Sequence, residues 1–397
     1  MWSHRFRDGA IAVLISALSA CAQTSEPMAD TASTSLSPQA ALGEKIFHDT
    51  SLSAGANLSC ASCHDRDHAL AGASPTTPVP IGGAGLTVQG VRNAPSLRYL
   101  TQNPPFFFDD EGTPTGGFDR DGRANTLAEQ ARRPFLSAHE MANASAADVA
   151  DKLSRATYAA DFRAAFGEQI FSTPEAAFER ALFALQKYEQ EDTSEFAPYS
   201  SKYDAFLARR TQLSAQELRG LALFNDPQKG NCAGCHPSAR GANGEPPLFT
   251  DFTYDNLGVP RNPNIAANTD ASYYDLGLCG PDRTDLSDRL DLCGAFKVPT
   301  LRNVAITAPY FHNGRFDTLL ELLRFYVRRD TNPEEWYPLD VAGQPKKFDD
   351  LPSGLARNVN TTEVPYNRHS GDRPALDETE IQDVLAFLQT LTDGYQP

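Results

Sequence analysis

The sequence predicts a mainly α-helical chain of two tandem domains with long intervening loops. Three observations carry this. Residues 146–156, 173–190, 213–225, 317–328 and 377–391 place apolar side chains at helical spacing. A short pattern occurs twice: Leu42-Gly43-Glu44-Lys45-Ile46-Phe47 precedes Cys60, and Arg219-Gly220-Leu221-Ala222-Leu223-Phe224 precedes Cys232. Residues 69–124 and 331–375 are rich in Gly, Pro and Thr and read as loops long enough to cover a bound group.

The repeated pattern leads into Cys60-Ala61-Ser62-Cys63-His64 and Cys232-Ala233-Gly234-Cys235-His236. Each is C-x-x-C-H, the attachment pattern of a c-type haem, whose vinyl groups take the thiols and whose iron takes the histidine. The expected architecture is therefore two cytochrome-c-like domains, each around one covalent haem. A zinc site built from both CxxC pairs is the rival reading. It is disfavoured because 168 residues lie between Cys63 and Cys232, far beyond zinc-ribbon spacing. A thioredoxin-type redox pair is disfavoured because neither motif sits in a βαβ pattern.

In chain order, residues 1–20 read as a signal peptide. Arg5 and Arg7 precede an apolar run, Ala10 to Leu18, that is too short to span a bilayer. Leu18-Ser19-Ala20-Cys21 resembles a lipobox, so Cys21 is expected to carry a lipid anchor and to be the only link to a membrane. Residues 21–37 form a Ser/Thr/Ala-rich tether. An N-terminal domain over 38–205 and a C-terminal domain over 206–397 follow. The expected location is the periplasm.

Ser214-Ala215-Gln216-Glu217 is a capping start for the helix ahead of the second motif. The last helix puts Ile381, Val384, Leu385, Leu388 and Leu391 on one face, as a packing helix does. Of seven cysteines, Cys279 and Cys293 remain after the anchor and the haem thiols, and in an oxidising compartment they read as a disulfide. The formal net charge of −16 argues against nucleic acid as partner and is compatible with a basic redox partner.

The second axial position of each iron decides its chemistry. Of three methionines, Met1 is lost on processing, Met28 lies in the tether, and Met141 sits beside Glu140 in a polar context. At least one haem therefore lacks a methionine ligand, which leaves histidines and tyrosines.

Phe296-Lys297-Val298-Pro299-Thr300-Leu301-Arg302-Asn303-Val304, followed by Thr307-Ala308-Pro309-Tyr310-Phe311-His312-Asn313-Gly314, resembles the C-terminal motif of the bacterial di-haem cytochrome c peroxidase and MauG family. The resemblance spans roughly residues 38–393. It implies that the residue fourteen after His312, Tyr326, is the axial ligand of the second haem, as in MauG- and MbnH-like members. From the residues alone, Tyr326 reads as a core aromatic beside Leu319, Leu322 and Leu323. A second stretch, Gly122-Arg123-Ala124-Asn125-Thr126-Leu127 to His139-Glu140-Met141, is similar to the family's peroxide site. It implies that Gln130, Pro134 and Glu140 line the open face of the first haem, with Glu140 as proton shuttle and Gln130 orienting peroxide.

The resemblance also implies a calcium ion near Asn93, Thr307 and Pro309. The histidine that blocks the first haem in peroxidases of the family falls at Gly85, so an open first haem is expected, with His68 as the remaining candidate cap. The family's inter-haem tryptophan falls at Arg120, unless an insertion brings Phe118 or Phe108 there. Trp336 lies elsewhere.

The expected function is a di-haem peroxidase-like oxidoreductase. It reacts with H2O2 at the first haem and stores or passes on oxidising equivalents through a His/Tyr-ligated second haem, with residues of a partner protein as the substrate. Two alternatives stand beside it. One is a cytochrome c peroxidase that removes H2O2 with electrons from a small cytochrome. The other is a non-enzymatic di-haem electron carrier.

Overall fold

The computed structural model describes residues 35–72 and 76–397. The expected signal peptide, the Cys21 anchor and the tether up to residue 34 lie outside the described residues. Among the described residues, eleven helices run in the order α1 (Pro38–His48), α2 (Cys60–Cys63), α3 (Leu127–Leu136), α4 (Ala146–Arg155), α5 (Ala159–Phe166), α6 (Pro174–Glu191), α7 (Thr193–Phe196), α8 (Lys202–Leu207), α9 (Ala215–Asn225), α10 (Leu319–Arg328) and α11 (Glu378–Gln389). The intervening chain is loop, short 3-10 turns and three two-residue antiparallel ladders. These are β1 (Ile81–Gly82) with β2 (Val88–Gln89), β3 (Phe107–Phe108) with β4 (Pro114–Thr115), and β5 (Tyr254–Asp255) with β6 (Phe296–Lys297). The fold is mainly α with two cytochrome-c-like cores.

Each core is built on one helix crossing. In the first, α1 buries Leu42, Ile46 and Phe47 against Phe178, Leu182 and Leu185 of α6. In the second, α9 buries Phe224 against Ile381, Val384, Phe387 and Leu388 of α11. The repeated glycine of the sequence is the crossing point in both. A Cβ on Gly43 would stand 2.0 Å from the Ala184 carbonyl oxygen, and one on Gly220 would stand 1.9 Å from that of Asp383. Gly220→Ala must push the two backbones apart. It is expected to cost about 1–3 kcal/mol, the usual range for overpacking, and to lower the Tm in a thermal melt.

Helix starts follow their caps. Ser214 and Glu217 form the expected capping box of α9, and Asp377 with Glu380 does the same for α11. Met141 differs from expectation. Only 4% exposed, it packs in the first core rather than in polar surroundings, because the turn after α3 folds back under Phe135.

Residues 36–397 form one compact unit holding both cores, and buried polar ties stitch the loops. Arg302 and Asp204 make a two-pronged pair at 2.8 and 2.9 Å. The Tyr99 hydroxyl donates to the Asp393 carboxylate at 2.7 Å, linking the N-terminal half to the last turn of the chain. Cys279 and Cys293 form the expected disulfide. Among the described residues, no helix is long and apolar enough to cross a membrane.

Candidate functional site

Two cavities open beside the two C-x-x-C-H turns. The first is walled by Cys60, Cys63 and His64 of the α2 turn, Gln130 and Pro134 of α3, Glu140 and Met141 of the following turn, and Leu185 and Glu189 of α6. The second is walled by Cys232, Cys235 and His236, Leu319, Leu322, Leu323 and Tyr326 of α10, and Tyr366 of the long C-terminal loop.

Both proximal histidines are held the same way. His64 Nδ1 lies 2.9 Å from the Leu70 carbonyl oxygen and His236 Nδ1 lies 2.7 Å from that of Phe249. Donation to a carbonyl fixes the proton on Nδ1 and leaves the Nε2 lone pair as a metal ligand. Burial lowers the pKa of both rings, which keeps them neutral. The four motif cysteines are free thiols. Burial pushes Cys60, Cys232 and Cys235 up to about 12 and Cys63 to about 11. No group of three or more His, Cys, Asp or Glu able to hold a metal ion occurs among the described residues, so the two CxxC pairs do not converge on a zinc site. A cavity offering two thiols and one histidine lone pair fits a c-type haem on each side.

The open face of the first cavity carries the expected trio. Gln130 and Pro134 are one helical turn apart on α3, and the Ser137–Glu140 turn brings Glu140 round to the same wall. The β1–β2 hairpin sets this turn from outside. Gly83 N donates to the Glu140 carbonyl at 2.8 Å, and a Cβ on Gly82 would stand 2.1 Å from the His139 carbonyl oxygen. Glu140 Oε2 is buried with no hydrogen-bond partner. Burial raises the carboxyl pKa, while Arg133 and a bond from Ser137 act against it.

Neither histidine expectation about this face concerns the wall itself. Gly85 sits in the hairpin turn, outside both cavities, and His68 lies near Asp65, its Nδ1 3.3 Å from that carboxylate. His139 does reach the first wall, with Nδ1 3.0 Å from the Gln89 carbonyl oxygen.

In the second cavity Tyr326 shares the wall with His236, and no methionine is present there. Its ring stacks on Phe311 at 5.8 Å and lies 6.1 Å from that of Tyr366. Neither tyrosine hydroxyl has a hydrogen bond among the described residues. Burial raises both phenol pKa values, and the nearby Arg329, 4.5 Å over the Tyr366 ring, opposes this. A phenol in this setting ionises only when a cation meets its oxygen.

Asn93, Thr307 and Pro309 all line the second cavity, and the Asn93 amide donates to the Pro309 carbonyl. Trp336 packs on Phe316 and Phe325 behind α10, outside both cavities. Phe118 is buried in a small cluster of its own and Phe108 is on the surface. Neither enters the region between the cavities, where Arg120 lies in both walls.

Two wall residues were missed in the sequence. Tyr366 follows Val364-Pro365 in an irregular loop with no periodic signal. Glu189 did leave one: it stands four residues after Leu185 on the apolar face of α6. Burial alone pushes its carboxyl up to about 8. The folded chain therefore keeps a proton that the unfolded chain releases. Stability falls as pH rises from the ordinary glutamate range through 8, and is level above it. Glu189→Gln is expected to flatten this slope, read as a smaller fall in Tm between about pH 5 and about pH 8.

Comparison with known proteins agrees with this geometry. Residues 37–212 match the model of the di-haem cytochrome c peroxidase family. The methylamine utilization protein MauG of Paracoccus denitrificans is 36% identical over 377 residues, covering 90% of this chain and 89% of that protein. The cytochrome c551 peroxidase of Nitrosomonas europaea is 31% identical over 75% of this chain and 76% of its own length. The crystal structure of the diheme peroxidase BthA from Burkholderia thailandensis superposes with a TM-score of 0.82 at 41% identity, covering 90% of this chain and 87% of that one. The chain belongs to the MauG-like di-haem cytochrome c peroxidase family, an oxidoreductase family that implies two c-type haems.

Proposed function

We propose that the chain is a di-haem peroxidase whose two halves divide the work, residues 38–205 reacting with H2O2 and residues 206–397 holding the oxidation. The observation that carries this reading is the contrast between the two walls. One offers a buried, partnerless carboxylate oxygen on Glu140 beside Gln130; the other offers the unbonded hydroxyl of Tyr326.

Haem iron, when bound, supplies the electrons that peroxide takes up on cleavage of its O–O bond. The side chains supply the rest. His64 and His236 present Nε2 as proximal ligands. Glu140 accepts the proton from one peroxide oxygen and returns it to the other, so that water can leave. Its raised pKa makes the carboxylate a stronger base for taking up that proton. The Gln130 amide orients peroxide, and Pro134 shapes the wall between them. On the second side, Tyr326 would hold the haem iron through its phenol oxygen. Its anionic oxygen favours the oxidised iron, where a thioether would favour the reduced one.

The stored oxidising equivalents then pass to residues of a partner protein. The similarity to MauG supports this use. The similarity to cytochrome c551 peroxidase supports the second reading, removal of H2O2 with electrons from a small cytochrome. Calcium at Asn93, Thr307 and Pro309, export to the periplasm and lipid anchoring through Cys21 belong to the same reading.

Electron paramagnetic resonance of the ferric protein, before and after H2O2, tests it. One high-spin and one low-spin signal, both lost with peroxide, are expected. Two low-spin signals indifferent to peroxide would assign the chain to electron carriage instead.

A further inference from the structure

The two cavities share a wall: Asn93, Ala94, Pro95, Leu97, Asp119, Arg120 and Gln130 line both. None of the motif cysteines is in it. A c-type haem is anchored through its vinyl edge, and its two propionates leave from the opposite edge. The shared wall holds no thioether anchor, so it is open to the propionate edges.

The charge of the shared wall is out of balance. Most cations around it are paired within the chain. Arg92 reaches Asp121 and Asp275 at 2.6 Å each, and Arg123 reaches Asp121 at 2.7 Å and Asp119 at 3.2 Å. Two are not. Arg120 makes one side-chain bond among the described residues, from Nε to the Asn93 carbonyl at 2.9 Å, and no ion pair. Its two terminal nitrogens are uncommitted. Lys297, in the wall of the second cavity, donates from Nζ only to neutral oxygens, Asn103 Oδ1 at 3.1 Å and the Gly117 carbonyl at 2.6 Å. The two are also tied through the backbone, Lys297 N donating to the Arg120 carbonyl at 2.9 Å. Cations left in a sheltered wall without anions are expensive, and they repel one another. Burial lowers both, Arg120 to about 10 with Arg92 adding to the fall and Asp275 opposing it, and Lys297 to about 8 with Arg120 adding to the fall and Asp119 and Asp121 opposing it.

We propose that Arg120 is a propionate clamp between the two haems. Its terminal nitrogens take one carboxylate from each side, and Lys297 takes a carboxylate of the second haem only. A planar guanidinium with Nε fixed to a carbonyl is suited to this, since its remaining donors point in set directions. The proposal rests on haem occupying both cavities. It gives Arg120 a positioning role, setting the facing edges of the two macrocycles and holding positive charge beside both irons.

Resonance Raman spectroscopy of the haem-loaded protein tests it, because the propionate bending bands follow the hydrogen bonds to those carboxylates. Midpoint potentials are measured on the same samples. In Arg120→Gln, the bands of both haems are expected to shift and both potentials to fall. In Lys297→Gln, only the second haem is expected to change. Arg120→Lys, which keeps the charge but not the fork, should restore most of the potential and little of the band position. If Arg120→Gln does not load haem, the Lys variant alone decides through its band shift. Propionate bands unmoved in a variant carrying two haems would overturn the clamp and leave the two-haem reading intact. A wild-type chain with fewer than two haems by pyridine haemochrome assay would overturn both.

Discussion

Glu140→Gln is expected to slow the reaction with H2O2 by about 10²–10⁴-fold, the range a positioned proton-transfer group supplies, with both haems still attached. Glutamine keeps the shape and an acceptor oxygen but cannot take up and return a proton. The turn that carries Glu140 brings no second carboxyl to the wall. Arg133 is engaged by the Asp282 carboxylate at 2.8 Å, and His139 is turned toward the Gln89 carbonyl through Nδ1. Stopped-flow mixing with H2O2 reads the rate directly. Since burial raises the Glu140 pKa, the base form is lost earlier on acidification than for an exposed glutamate. The wild-type rate should therefore fall as pH drops through that raised value, and the Gln variant should show no such inflection. An unchanged rate in the variant would remove Glu140 from the mechanism.

Tyr326→Met is expected to raise the midpoint potential of the second haem by hundreds of millivolts, within the range of roughly 0.8 V that axial ligands command. It exchanges an anionic oxygen donor for a neutral thioether. The substitution suits the site: position 326 faces the cavity from α10, and methionine is flexible enough to reach the iron. Potentiometric titration followed optically reads the shift. With the oxidised state no longer favoured, the lifetime of the peroxide-oxidised protein should shorten. Tyr366 gives the internal control. Tyr366→Phe leaves the ligand in place, so it should move the potential far less. A larger effect at Tyr366 than at Tyr326 would make Tyr366 the ligand.

Much of this was legible before folding, because it rests on local chemistry. The C-x-x-C-H turns carry their own anchors, and the repeat ahead of each marked the helices that became α1 and α9. Gln130, Pro134 and Glu140 were legible through resemblance, and the structure brings all three to one wall. What escaped was long-range. No local pattern told that the β1–β2 hairpin would brace Glu140, or that Leu70 and Phe249 would supply the carbonyls for His64 and His236. Met141 misled because its neighbours in sequence are polar while its neighbours in space are Phe135 and the first core. Glu189 was readable as a charge on an apolar stripe, whereas Tyr366, in an irregular loop, gave nothing to read.

The wall common to both cavities has a consequence for how such a chain can change over evolutionary time. A duplicated cytochrome unit would ordinarily be a cassette, free to be exchanged, deleted or attached elsewhere. Here the second cavity takes part of its lining from Asn93 to Leu100, Asn103, Asp119, Arg120 and Gln130, all contributed by the first half. A gene fragment encoding residues 206–397 would express a haem pocket with one side missing. The second cavity is thus complete only when both halves are joined in one chain.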